Sequence, residues 1–168
     1  MKMFSELIPT ALETGVMILL ENLFITDTAN NRKYAGTCCT PEETNWYIDT
    51  LNKMAGRECF GLCFDTGHIN LINDVIRDYV KNVGKRIKAL HIHDNYGNTD
   101  VHLAPYTGTT RWNDFYSSLK EIGYDGDLSF ECFKQFTKIR CDDEMVMPSL
   151  EFVCKCGEFF RSKINENN

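Results

Sequence analysis

Four short apolar runs, separated by segments with helical patterning, are the feature that most restricts how this chain can fold. They occupy residues 16–20, 60–64, 87–93 and 127–131. Largely apolar runs of this length, bounded by glycines or polar loops, are typical of parallel strands that are covered on both faces. Four strand–helix units in succession therefore predict an α/β fold with a parallel sheet.

The segments between the runs carry helix signals. Thr40 is a favourable N-cap, Pro41 occupies the first helical position and Glu43 lies three residues after the cap. This pattern predicts a helix over residues 40–54 that ends before Gly56. Further helices are predicted over residues 3–13, 73–82, 111–122 and 148–163, and residues 26–36 are predicted to form a polar loop. The last helix could also start earlier and be kinked at Pro148.

Composition fits one soluble domain over residues 1–168. The chain is 43% hydrophobic and 25% charged, with a net charge of −6. An acidic chain lacks the positive field that wraps a nucleic acid backbone, so a nucleic acid partner is not expected. The longest apolar run is far shorter than the roughly 20 residues of a membrane span. The start has no signal-peptide core, and we therefore expect no membrane partner and a cytoplasmic location.

The eight cysteines are interpreted as reduced thiols. They are scattered through apolar or helical segments without the two-residue gaps of a zinc knuckle or a redox motif. They are Cys38, Cys39, Cys59, Cys63, Cys132, Cys141, Cys154 and Cys156.

Polar side chains follow or end each apolar run, where parallel α/β folds build their active sites. All four histidines, His68, His91, His93 and His102, lie in these segments or in the loop just beyond. The acidic residues of the same segments are Glu21, Asp65, Asp94 and Glu131, with Asp100 in the following loop.

Carboxylates and imidazoles that converge on one rim indicate a metal site, because a divalent ion offsets the repulsion between the acidic groups. The predicted ligands are Glu21, Asp65, one of His91 and His93, and Glu131. A second ion could be held by His68, Asp100 and His102, bridged by Asp65. Taken singly, each glutamate could instead be a salt-bridge partner, Asp65 a helix cap and His102 a loop residue. Two histidines on one face of an apolar strand are harder to explain structurally, since buried imidazoles need partners.

Five motifs in fixed order resemble the xylose isomerase-like TIM barrels, a superfamily of sugar phosphate isomerases and epimerases, ketose 3-epimerases and apurinic-site endonucleases. They are Leu20-Glu21-Asn22, Phe64-Asp65-Thr66-Gly67-His68, Leu90-His91-Ile92-His93-Asp94, Asp100-Val101-His102-Leu103-Ala104-Pro105 running to Gly108 and Trp112, and Phe130-Glu131. Complete (β/α)8 barrels have about 250 residues. The resemblance therefore implies a partial (β/α)8 TIM barrel, a half-barrel of about four β-α units that corresponds to the C-terminal half.

The resemblance also implies a chemistry. It implies a divalent metal (Mn, Mg, Co or Zn) held by Glu21, Asp65, His91 or His93, and Glu131, with His91 preferred. Glu21 and Glu131 would move protons beside a carbonyl through an enediolate, while His68 and His93 would contact the substrate. In the endonuclease branch, the counterparts of His68, Asp100 and His102 bind an additional zinc.

Three functions are weighed for this chain. The favoured one is a metal-dependent isomerase or epimerase of a sugar or sugar phosphate. The alternatives are an endonuclease-like phosphodiesterase, which the acidic balance argues against, and an inactive metal-binding half-barrel. Four parallel strands leave two edges and an apolar inner face open. The chain is therefore expected either to complete itself by association, as a homodimer or higher homo-oligomer, or to be a fragment with impaired activity.

Overall fold

The computed structural model describes residues 1–132 and 143–166. A parallel three-stranded sheet lies at the centre, in the order β1 (Ile18–Glu21), β4 (Phe60–Asp65) and β5 (Ile87–His91). A separate antiparallel hairpin consists of β2 (Phe24–Thr26) and β3 (Lys33–Ala35). The helices are α1 (Lys2–Ser5), α2 (Ile8–Thr14), α3 (Pro41–Ala55), α4 (Thr66–Leu71), α5 (Ile76–Val83), α6 (Trp112–Ile122) and α7 (Val146–Asn165).

One face of the sheet forms the core. Leu20, Leu62, Phe64 and Leu90 alternate along the three strands and are at most 2% exposed, packed with residues of the covering helices. The alternate residues point to the other face, where Glu21, Asp65 and His91 end their strands. Strand alternation thus separates the packed core from the polar rim.

The register aligns the polar strand ends. Glu21 is the partner of Cys63 in the first pairing, and Asp65 is the partner of His91 in the second. Because all three strands run in the same direction, their carboxyl ends meet at one edge of the sheet. The predicted parallel α/β fold is confirmed.

The helix that follows Thr40 forms as predicted. The Thr40 side chain accepts a hydrogen bond from the Glu43 N–H at 3.3 Å, and Gly56 ends the helix with a φ of 72°. A positive φ at the helix end favours glycine, which has no Cβ to clash.

Several elements differ from the expectation. Residues 3–13 form two helices rather than one, with Pro9 in the first turn of the second, where its missing N–H costs nothing. The polar loop predicted over residues 26–36 contains most of the β2–β3 hairpin, and α4 was not predicted. The fourth strand is reduced to one parallel bridge between Ile92 and Phe130. The last helix has the earlier start that the sequence left open, at Val146, and Pro148 lies in its first turn.

Within the described ranges, no helix combines the length and the apolar character needed to cross a membrane.

Candidate metal centre

Two glutamates approach the same imidazole nitrogen at the carboxyl edge of the sheet. His91 Nδ1 lies 3.4 Å from Glu21 Oε1 and 3.5 Å from Glu131 Oε1. All three side chains are about one-third exposed, at 31–32%. Asp65 joins them, because one donor atom each of Glu21, Asp65 and His91 can be chosen within 4.8 Å of the others. The four residues predicted as first ligands therefore lie together.

Asp65 is the buried member of this cluster, with no exposed side-chain surface. It caps α4 by accepting a hydrogen bond from the His68 N–H at 2.8 Å, and His93 Nε2 lies 3.1 Å from its carboxylate. Burial by itself would raise the pKa of Asp65, but the hydrogen bond and charge of His93 outweigh it and hold that pKa below its usual value. The cap interpretation and the ligand interpretation of Asp65 are therefore compatible.

His93 is the counterpart of this pair. Burial alone would lower its pKa, but the hydrogen bond and charge of Asp65 prevail and raise it. Thr66 fixes its backbone, donating to the His93 carbonyl at 2.8 Å and accepting from its N–H at 3.1 Å. A Cβ on Gly67 would fall 2.0 Å from the His93 ring, so the ring packs directly on the glycine backbone.

Asn22 holds the end of β4 in place, a role that its position after a strand did not reveal. Its side-chain amide donates to the Asp65 carbonyl at 2.9 Å and accepts from the Asp65 N–H at 2.8 Å. Its own carbonyl lies 2.7 Å from His68 Nδ1. A carbonyl can only accept, so His68 donates through Nδ1, and in a neutral ring Nε2 is then the acceptor.

A second group of donors consists of His93, Asp100 and His102. The rings of His93 and His102 stack with centroids 4.0 Å apart, and His102 Nε2 lies 3.0 Å from Asp100 Oδ2. His102 Nδ1 donates to the Glu131 carbonyl at 3.0 Å. Both ring nitrogens of His102 therefore face an acceptor oxygen, one from Glu131 and one from Asp100.

His68 belongs to a third donor group, with Asp65 and His93. His93 is thus a member of two donor groups, the one with Asp65 and His68 and the one with Asp100 and His102. The expectation from sequence placed Asp65 as the bridge, and in the structure both Asp65 and His93 lie between the clusters.

The first cluster fits a divalent cation by the chemistry of its donors. Two donors bound about 2.1 Å from one ion lie about 3 to 3.5 Å apart, which matches the two separations around His91 Nδ1. Carboxylate and imidazole donors without thiolate suit Mn, Mg, Co or Zn and do not discriminate among them. Cys63 lies two residues before Asp65 on the same strand face and belongs to none of the three donor groups found among the described residues. Its burial, with nearby carboxylates, raises the pKa of its thiol to about 12.

All seven cysteines within residues 1–132 and 143–166 are unpaired, as expected for reduced thiols. Cys141, also predicted to be reduced, lies outside the described residues.

A parallel sheet backed by helices, with polar strand ends at one edge, is found in (β/α)8 barrels and in open doubly wound sheets. The sequence profile of the family described as "Xylose isomerase-like TIM barrel" matches residues 1–152, and the chain belongs to this family. It is 33% identical over 129 residues to an uncharacterized protein of Methanocaldococcus jannaschii, covering 76% of this chain and 40% of that protein.

Two solved structures illustrate the likeness. A D-tagatose 3-epimerase-like protein superposes with a TM-score of 0.63 and 26% identity, covering 92% of this chain and 54% of that protein. A D-allulose 3-epimerase from a Methylomonas species superposes with a TM-score of 0.63 and 21% identity. The match covers 95% of this chain and 52% of that protein. The chain therefore spans about half the length of the proteins that it matches.

Proposed function

We propose that this chain carries the active site of a metal-dependent isomerase or epimerase of a sugar or sugar phosphate. The observation that supports this most directly is the position of Glu21 and Glu131, whose carboxylates lie 3.4 and 3.5 Å from one nitrogen of His91. Both remain partly exposed and so can reach a bound substrate. The likeness to a D-tagatose 3-epimerase-like protein favours a sugar substrate.

In this proposal Glu21 and Glu131 are the acid and base. One carboxylate removes the proton from the carbon beside the substrate carbonyl, and the other returns a proton to the resulting enediolate. His68, with a lone pair on Nε2, accepts a hydrogen bond from a substrate hydroxyl. His93 is fully buried, and we assign it to orienting Asp65 rather than to substrate contact or to ligation of the ion held by Glu21, Asp65, His91 and Glu131.

Glu21, Asp65, His91 and Glu131 would hold the metal. A divalent cation at this position supplies positive charge for the oxygen on which negative charge develops. Whether the metal is Mn, Mg, Co or Zn, and whether the sugar is phosphorylated, stays open in the proposal.

We further propose that residues 1–168 form one domain equivalent to the C-terminal half of a barrel, and that a second copy completes it. Among the described residues, β1 pairs only with β4, and Ile92 has only a single bridge to Phe130 on the other edge. A two-fold axis along the barrel would place β1 of one copy beside the bridge segment of the other, with all strands still parallel. The cytoplasmic location stays a prediction.

A phosphodiesterase of the endonuclease type is the second candidate. The cluster of His93, Asp100 and His102 favours it, because a second ion beside the first can clamp a phosphate. The net charge of −6 disfavours a nucleic acid substrate.

Turnover in D2O separates the candidates. The chain, loaded with each of the four metals, is incubated with a panel of ketoses and sugar phosphates and, separately, with a duplex that contains an abasic site. The proposal predicts that deuterium enters the sugar at the carbon beside the carbonyl. Sugar turnover without exchange would indicate a hydride shift instead. Cleavage of the duplex would support the second candidate, and no reaction with either would indicate an inactive half-barrel.

A further inference from the structure

The segment from residue 94 to residue 112 carries Asp100 and His102 to the site. It contains no regular helix before α6 and no strand beyond one antiparallel bridge, in which Asp94 and Leu103 exchange two backbone hydrogen bonds of 2.8 Å. Such a segment needs other contacts to hold two site residues in fixed positions.

The Asp94 side chain supplies those contacts. It is completely buried, and its two carboxylate oxygens accept four hydrogen bonds, two on each oxygen. The donors are the backbone N–H groups of Asn95 (2.9 Å), Thr110 (3.0 Å) and Gly108 (2.9 Å) and the indole N–H of Trp112 (3.2 Å). Four N–H groups need acceptor sites on both side-chain oxygens, and the carboxyl group of an aspartate has an oxygen for each pair.

Gly108 shows how closely the segment wraps this carboxylate. A Cβ at Gly108 would lie 2.4 Å from Asp94 Oδ1 and 2.3 Å from the Asn95 carbonyl oxygen. Asn95 extends the connection to α4, since its side chain donates to the Gly67 carbonyl at 2.9 Å and accepts from Asn70 Nδ2 at 2.9 Å. The turn at residue 108 is thus fixed against both the carboxylate and the element that carries His68.

We propose that Asp94 is the positioning residue for the group of His93, Asp100 and His102. By closing the segment at both of its ends, it places Asp100 and His102 against His93 and the Glu131 carbonyl. The proposal concerns which residues set the site's geometry, and its link to turnover rests on the proposed function above. It implies that loss of the four-donor arrangement displaces His102 while Glu21 and His91, held by β1 and β5, stay in place.

The test replaces Asp94 by Asn and reads the imidazole nitrogens of the four histidines by ¹⁵N NMR on the metal-free chain. Asp94→Asn keeps the volume but turns an N–H donor toward two N–H groups. We expect the His102 signals to move to those of an imidazole without its Glu131 and Asp100 partners, while the His91 signals stay unchanged. Zinc affinity of the His102 group should fall about 10- to 100-fold, as is usual when a residue that supports ligands is altered. Asp114→Asn in α6 is the same chemical change at a carboxylate that accepts none of these four hydrogen bonds. It should alter neither the His102 signals nor the zinc affinity.

Unchanged His102 signals in a folded Asp94→Asn chain would overturn the proposal. So would equal shifts at all four histidines, because they would indicate a general loss of structure. If Asp94→Asn does not fold, Trp112→Phe removes one donor and must shift His102 in the same direction and by less. Because the NMR readout needs neither metal nor turnover, an inactive chain would count against the proposed function and leave this test intact.

Discussion

At the scale of single residues, the site depends on two partly exposed glutamates beside one imidazole and one fully buried aspartate. The exposed carboxylates can exchange protons with a substrate. Asp65 cannot, because it is enclosed by the His68 backbone N–H and by His93. The difference in burial therefore assigns Asp65 to holding the geometry of the site, and leaves Glu21 and Glu131 able to exchange protons with a substrate.

Glu131→Gln tests this division. The amide keeps the shape but removes a charge and a proton carrier, so we expect turnover to fall by at least about 10²-fold. His102→Ala, which removes a neighbour of Glu131, should lower it less. The rates are measured at saturating metal, with the exposed Glu151→Gln on α7 as a control that should behave as the unaltered chain. Equal activity of Glu131→Gln and the unaltered chain would contradict the role given to Glu131.

Asn22→Ala tests the support of the site. The substitution leaves the buried N–H and carbonyl of Asp65 without their partners, which should cost about 1 to 3 kcal/mol for the first unsatisfied group. Urea unfolding measures the change. Asn82→Ala, an exposed side chain on α5, should change the free energy of unfolding by no more than about 0.5 kcal/mol. A loss for Asn22→Ala no larger than that of the control would show that the bonds do not stabilise the fold.

The thiols provide a further prediction for single residues. Burial raises the pKa of Cys39 to about 11 and that of Cys38 to about 12, so both are protonated at pH 8 in the folded chain. Iodoacetamide should therefore modify the exposed Cys154 and spare both, as read by mass spectrometry after brief labelling. Labelling after unfolding in urea serves as the positive control. Rapid modification of Cys38 in the folded chain would contradict its burial.

The residues of the site could largely be predicted from sequence because each follows an apolar strand, and strand ends meet. That they act as ligands stays a prediction. The residues that hold the site residues in place were harder to predict. Asn22 contacts Asp65 across 43 positions of the chain, and nothing in the local sequence signals such a contact. The residues alone also left the choice between His91 and His93 open, since both are predicted on one strand face, and only the family resemblance preferred His91.

At the scale of elements, strong local signals gave correct predictions. The cap at Thr40 and the glycine at position 56 bound α3 as expected. The β2–β3 hairpin was missed because its short strands are mostly exposed and polar-flanked. Helix α4 was missed because it begins immediately after the last residue of β4, with no intervening loop to mark it.

Thr40→Ala tests the cap of α3. Loss of the hydrogen bond to the Glu43 N–H should lower the free energy of unfolding by about 1 kcal/mol. Thr50→Ala within the same helix is the matched control. Because alanine has the higher helix propensity, this control should be neutral or slightly stabilising. If both variants lose the same stability, the effect is not one of capping.

At the scale of the whole molecule, the pairing of β1 has the largest consequence, because among residues 1–132 and 143–166 this strand pairs only with β4. An unpaired strand edge favours association. Sedimentation equilibrium at micromolar concentration should give twice the 19.4 kDa mass of the chain or a higher multiple. A stable 19.4 kDa species that unfolds cooperatively would contradict the proposed completion of the barrel by a second copy.

Anomalous diffraction from crystals grown with zinc or manganese would show whether Glu21, Asp65, His91 and Glu131 hold one divalent metal. We expect one strong peak among these four side chains, with oxygen and nitrogen ligands at about 2.0 to 2.3 Å. Glu131→Gln crystals, as a comparison, should show the peak weakened at the same position. A peak bound elsewhere, or none while the four side chains keep their places, would contradict the account.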